Sequence, residues 1–192
     1  MCQLFFCDCS FAEMVITLIG YRGTGKSTVA PRLAAKLGFN WVDADVELEN
    51  FTGRSIREIF ATDGEPEFRR LEREVLVRLL KQDRLVIAAG GGAILNESTR
   101  QDMRNAGPVV WLQASVATIA RRILRNGHPS NHRPNLTATG GIEEIQALVT
   151  QREPLYQSCA TVTVMSEGTS IEGLVQRIMT QLPPEFRQQV GS

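Results

Sequence analysis

The chain has 192 residues, 43% of them hydrophobic and 22% charged, which is enough apolar material for one sizeable core and too little length for several independent domains. Its 21 Lys and Arg offset 21 Asp and Glu, so no global positive field exists to hold nucleic acid or an anionic membrane surface, and neither is expected as a partner. Of the four cysteines, Cys2, Cys7 and Cys9 crowd together and Cys159 is distant, a pattern that makes neither a disulfide framework nor a tetrahedral metal set.

The first residues, MCQLFFCDCSFAEM, lack the basic region and cleavage pattern of a secretory signal, and no apolar run approaches the roughly 20 residues a bilayer requires, so a cytoplasmic protein is expected. Met14 directly precedes the first strand-like run, so it is expected to be the native start, with residues 1–13 a non-native or disordered leader. Five aliphatic, β-branched runs are predicted as buried parallel strands: Val15 to Gly20, Asn40 to Asp43, Leu85 to Ala89, Val109 to Gln113 and Thr161 to Met165. Helices are predicted over Lys26 to Leu37, ended by Gly38, and over Ser55 to Lys81, Ser115 to Arg125, Ile142 to Tyr156 and Ile171 to Leu182. This alternation predicts an α/β layered sheet in a single domain over about residues 14–182. Two stretches interrupt it: a substrate-binding insert at about 45–75 and a Pro- and Gly-rich lid at about 126–141. The tail Pro183 to Ser192 is expected to fray.

Gly20-Tyr-Arg-Gly-Thr-Gly-Lys-Ser27 fits G-x-x-x-x-G-K-[ST] directly after an apolar strand and at the start of a helix. Glycines let successive N–H groups point into one concavity and the helix N-terminus adds positive charge, so Gly23, Thr24, Gly25 and Thr28 are predicted to bind ATP. Lys26 is predicted to reach the β and γ phosphates and Ser27 to ligate Mg²⁺. Asp43 and Asp45 end the second strand, where one carboxylate can face a metal and the other the cleft, although Asp45 could equally cap the next helix.

Arg69 and Glu72 are three residues apart on one helical face, so the carboxylate can orient the guanidinium toward a ligand; a solvated ion pair is the plainer alternative. Gly90, Gly91 and Gly92 follow the third strand and offer close backbone approach where ligands of open α/β sheets bind. Arg133 in the lid and Arg152 near the end of the next helix are placed to cover phosphates during phosphoryl transfer.

Taken together, GYRGTGKST, DAD at 43–45, TGRSI at 52–56, GEPEFRRLE at 64–72, GGG at 90–92, Arg133-Pro134 and REPLY at 152–156 resemble the shikimate kinase family over about residues 15–165. The resemblance implies a P-loop fold with a five-stranded parallel sheet in the order 2-3-1-4-5. It also implies Mg²⁺-dependent transfer of the ATP γ-phosphoryl group to the 3-hydroxyl of shikimate, in aromatic amino acid biosynthesis. Carried over by position, Asp43 supports the metal, Asp45 grips the shikimate hydroxyls and is the candidate base, and Arg69, Arg152, Gly91 and Gly92 hold the carboxylate and ring. Glu72 orients Arg69, Arg133 joins the phosphates with the lid, and Arg125 packs on adenine. Lys26 and Arg133 are ranked above Asp45 for turnover.

The chain departs from the family in having Ala88-Ala89 where a hydroxyl residue often precedes the glycines and Asn135 where an aliphatic residue is usual, while His128 and His132 are read as incidental. A soluble monomer is expected. A kinase of another small hydroxy acid, such as gluconate, is the alternative reading, to be told apart by whether Asp45, Arg69 and Arg152 converge on one carboxylate-sized pocket. A non-catalytic nucleotide-binding module is the alternative from another class.

Overall fold

A computed structural model describes residues 14–125 and 141–187. The leader and residues 126–140 of the expected lid, Arg133 among them, lie outside the described residues. The sheet consists of β1 (Val15–Ile19), β2 (Asn40–Asp43), β3 (Leu85–Ala88), β4 (Val109–Gln113) and β5 (Val162–Met165), all parallel, in the order β2-β3-β1-β4-β5. This is the order that the resemblance implies.

Strand side chains alternate between two cores because successive residues of a strand face opposite sides. Val15, Ile19, Ile87, Val109 and Trp111 pack on one face of the sheet, and Ile16, Leu18, Val86, Val110 and Leu112 on the other. The second face is covered by α1 (Lys26–Leu37) and α8 (Ile171–Gln181). The first is covered by α2 (Ala44–Thr52), α3 (Ile56–Thr62), α4 (Gly64–Leu79), α5 (Glu97–Ala106) and α7 (Ile142–Cys159). Helix α6 (Val116–Arg125) joins α7 in a smaller cluster around Tyr21, Ile119, Ala120 and Ile145. With all strands parallel, the loops after β1, β2 and β3 gather at one end of the sheet, where a site can form.

Three differences from the sequence reading have local causes. The expected continuous helix from Ser55 to Lys81 is two helices: Ser55 and Glu58 form a reciprocal capping box at the start of α3, and Gly64, at φ 78°, turns the chain into α4. Helix α5 was not anticipated, because ESTRQDMRNA buries only Thr99 and Met103. The tail does not fray at Pro183: α9 (Pro184–Arg187) follows and buries Phe186 in the second core. Among the described residues, no helix is long and apolar enough to cross a membrane.

Candidate active site

The loop from Gly20 to Gly25 leaves β1 and delivers the chain to α1. Gly20, at φ 139°, lies so near β4 that a Cβ there would sit 2.5 Å from the Leu112 carbonyl oxygen. Thr24 folds the loop on itself, donating from both its amide and its hydroxyl to the Tyr21 carbonyl, at 3.3 and 2.8 Å. Lys26 is buried, and its Nζ donates to the carbonyls of Gly20, at 2.8 Å, and Tyr21, at 3.1 Å, so the ammonium lies across the mouth of the loop. The first turn of α1 carries no acidic residue and no side-chain cap. The partial positive charge of this helix end therefore meets no competing carboxylate from its own first turn.

Asp43 uses both carboxylate oxygens. Oδ1 accepts from the Asp45 amide at 3.0 Å and caps α2, while Oδ2 accepts from the Ser27 hydroxyl at 2.5 Å. The capping role that the sequence leaves open for Asp45 therefore belongs to Asp43, and the Asp45 side chain lines the cleft. The touching Ser27 and Asp43 oxygens beside the phosphate loop suit a hard divalent cation that keeps waters and takes its other ligands from nucleotide phosphates. No larger His, Cys, Asp or Glu cluster exists among the described residues to compete for a metal.

A cavity of about 470 Å³ opens over these groups and is lined by Lys26, Ser27, Asp43, Asp45, Gly91 and Arg152, together with Gly23, Thr24, Gly25, Thr28 and Arg125. Arg122 was missed by sequence reasoning. Its Nη1 donates to the carbonyls of Gly23 and Thr24, at 3.2 and 3.3 Å, and to Ser166 Oγ at 3.2 Å; Nη2 donates to the Ser166 carbonyl at 2.8 Å. It ties α6 to both the phosphate loop and the end of β5. No local pattern distinguishes it from Arg121 or Arg125, since its partners lie 98, 99 and 44 residues away.

The opposite side of the cavity is built on the glycine turn after β3. Arg152 is 6% exposed and donates from Nη1 to the Gly91 carbonyl at 3.4 Å, and the Tyr156 hydroxyl donates to the same oxygen at 2.5 Å. Arg69 Nη1 is held by Glu72 Oε2 at 2.7 Å and its Nη2 by Glu65 Oε1 at 2.8 Å, with Glu72 itself buried. The Arg69–Glu72 pair that the spacing predicts is formed, with the carboxylate buried rather than solvated. The two arginines do not line one pocket: Asp45, Gly91 and Arg152 belong to the large cavity, whereas Arg69, Glu72 and Gly92 line a second one of about 310 Å³. Gly91 and Gly92 form the turn between the two cavities.

Comparison with known proteins follows the same lines. Residues 22–183 match the family model described as shikimate kinase. A shikimate kinase of Nitrobacter winogradskyi is 41% identical over 166 residues, spanning 86% of this chain and 75% of the relative. One of Rhodopirellula baltica is 36% identical, spanning 89% and 91%. Among solved structures, shikimate kinase from Acinetobacter baumannii in complex with shikimate is similar, with a TM-score of 0.81 and 34% identity over 88% of this chain and 92% of that one. A gluconokinase from Sinorhizobium meliloti is 17% identical, with a TM-score of 0.54 over 89% of this chain and 91% of that one, and shares the fold alone.

Proposed function

We propose a function from one premise: the chain belongs to the shikimate kinase family. It transfers the γ-phosphoryl group of ATP to the 3-hydroxyl of shikimate, giving shikimate 3-phosphate and ADP, within aromatic amino acid biosynthesis. The observation that carries the reading is that one cavity gathers the phosphate-binding Lys26 and Ser27, the carboxylates Asp43 and Asp45, and the acceptor-side Arg152.

The division of labour follows from this placement. Lys26 spreads positive charge along the phosphates, and the N-terminus of α1 adds its partial positive charge. Ser27 and Asp43 would hold Mg²⁺, which when bound offsets negative charge on the β and γ phosphates. Asp45 faces the acceptor, where its carboxylate orients the hydroxyl and receives its proton. Arg152 holds the acceptor carboxylate together with the Gly91 backbone. Arg69, held on Glu72 and lining the neighbouring cavity, is assigned to the same ligand by the family resemblance. Arg122 and Arg125 flank the nucleotide side of the cavity, and Arg133, outside the described residues, is assigned to the phosphates by the family resemblance alone. Phosphoryl transfer passes through a loose, charge-spread transition state, so alignment and cationic stabilisation outweigh a strong base.

The test is ADP release from MgATP with and without shikimate, with gluconate and quinate as controls, on the full chain and on Arg152→Ala. Stimulation by shikimate alone, lost in the variant, is expected. Equal stimulation by gluconate, or none by shikimate, would overturn the assignment.

A further inference from the structure

Position 22 is one of the unspecified places in the G-x-x-x-x-G-K-[ST] motif, so phosphate binding alone does not call for an arginine there. Yet Arg22 lines the large cavity, in company with Lys26, Asp43, Asp45, Gly91 and Arg152. Its Nε is sealed from solvent and meets no hydrogen-bond acceptor among the described residues. Arg22 as a whole is half-buried, so its outer nitrogens reach the cavity while Nε is withheld from water. A sealed donor without an acceptor is costly, and its presence calls for an explanation.

The surroundings give one. The guanidinium carbon of Arg22 lies 5.9 Å from the centre of the Tyr21 ring, and that of Arg152 lies 5.8 Å from the same centre. Two cations therefore share one buried ring, one reaching it from the phosphate loop and the other from the acceptor side in α7. The Arg22 backbone also runs close to Gly91, where a Cβ would stand 3.3 Å from the Arg22 amide nitrogen. Arg22 thus sits where donor and acceptor halves of the cleft meet, within one loop of Lys26.

Resting on the shikimate kinase reading, we propose that Arg22 is a further catalytic residue, which donates to the phosphoryl group in transit and to the 3-phosphate of the product. In the step it serves, the bond from the γ-phosphorus to the oxygen bridging to the β-phosphate breaks. The bond from phosphorus to the acceptor oxygen forms, and the hydroxyl proton passes to Asp45 and on to solvent. Arg22 exchanges no proton. Its planar fork matches oxygens of a group whose charge is spread over three positions.

The experiment compares the full-length chain with Arg22→Gln and Arg22→Lys in steady-state turnover, and in calorimetric titrations of shikimate and of shikimate 3-phosphate without nucleotide. Arg22→Gln is expected to lose about tenfold or more in kcat with both KM values within about threefold, the pattern of a lost transition-state contact. It is also expected to bind the 3-phosphate about tenfold more weakly while binding shikimate as before. Arg22→Lys keeps the charge without the fork and is expected to fall between the two, so a Gln variant that fails to fold does not remove the test. An active wild type whose Arg22 variants keep kcat and product affinity, or lose shikimate and product affinity equally, overturns this inference alone. A wild type that neither turns over shikimate nor binds its 3-phosphate overturns the functional reading and this inference with it.

Discussion

The guanidinium of Arg69 lies so close over the α-carbon of Gly92 that a methyl group at position 92 would collide with it. Gly92 has an ordinary backbone conformation, φ −108°, so the space above it, not its flexibility, is what calls for glycine. Gly92→Ala should push Arg69 away from Glu72 and out of the second cavity. The expected result is a rise of about tenfold in the KM for shikimate with the KM for ATP unchanged, measured by coupled ADP release. A variant with wild-type KM for shikimate would mean that Arg69 does not serve the acceptor.

Asp43 can be dissected because its two oxygens do different work. Asp43→Asn keeps an oxygen for the Asp45 amide but loses the charge beside Ser27. Turnover should fall about 100-fold and half-saturation should require more Mg²⁺, while the melting temperature stays near that of the wild type. Asp43→Ala also removes the cap of α2 and should cost about 1 kcal/mol of stability by denaturant titration.

Tyr156 is 2% exposed and stacks on Trp111 with ring centres 5.6 Å apart, so Tyr156→Phe leaves that packing intact and removes only the hydroxyl that holds the Gly91 carbonyl. A loss of about 1 kcal/mol in unfolding free energy is expected. The looser glycine turn should raise the KM for shikimate about threefold without changing that for ATP. An unchanged acceptor KM would show that Arg152 alone sets the turn.

Burial pushes the Cys159 thiol from 9.0 up to about 11, the nearby Arg100 and Arg104 offsetting this only in part. The unfolded thiol ionises first as pH rises, so the folded state binds more protons between about 9 and 11 and loses stability across that window. Cys159→Ala should flatten this decline in a pH series of urea melts. An equal decline in both proteins would assign it to other groups.

The sequence is most readable where the signal is continuous along the chain. Buried strands such as VITLI and VVWLQ leave few alternatives, and Gly38, at φ 68°, ends α1 where the pattern stops. The phosphate loop and the Arg69–Glu72 pair are likewise local spacings. Helix α5 is not, because a helix that shows the core one threonine and one methionine has almost no apolar stripe. Arg122 and the Tyr156 hydroxyl are illegible for a different reason: each acts on a carbonyl of a loop that only the folded sheet brings near. The separation of Arg69 from Arg152 is equally a matter of tertiary geometry, since nothing in GGG says that its second and third glycines line different cavities.

The two hydrogen bonds from Lys26 to the carbonyls of Gly20 and Tyr21 bear on how fast nucleotide can arrive. A loop drawn around its own ammonium loses its conformational entropy during folding, before any phosphate is present. Association should therefore be governed by diffusional encounter, with little slow rearrangement of this loop afterwards. In stopped-flow mixing, the observed rate for a fluorescent ATP analogue should climb linearly with concentration where a loop that must first assemble would make it level off.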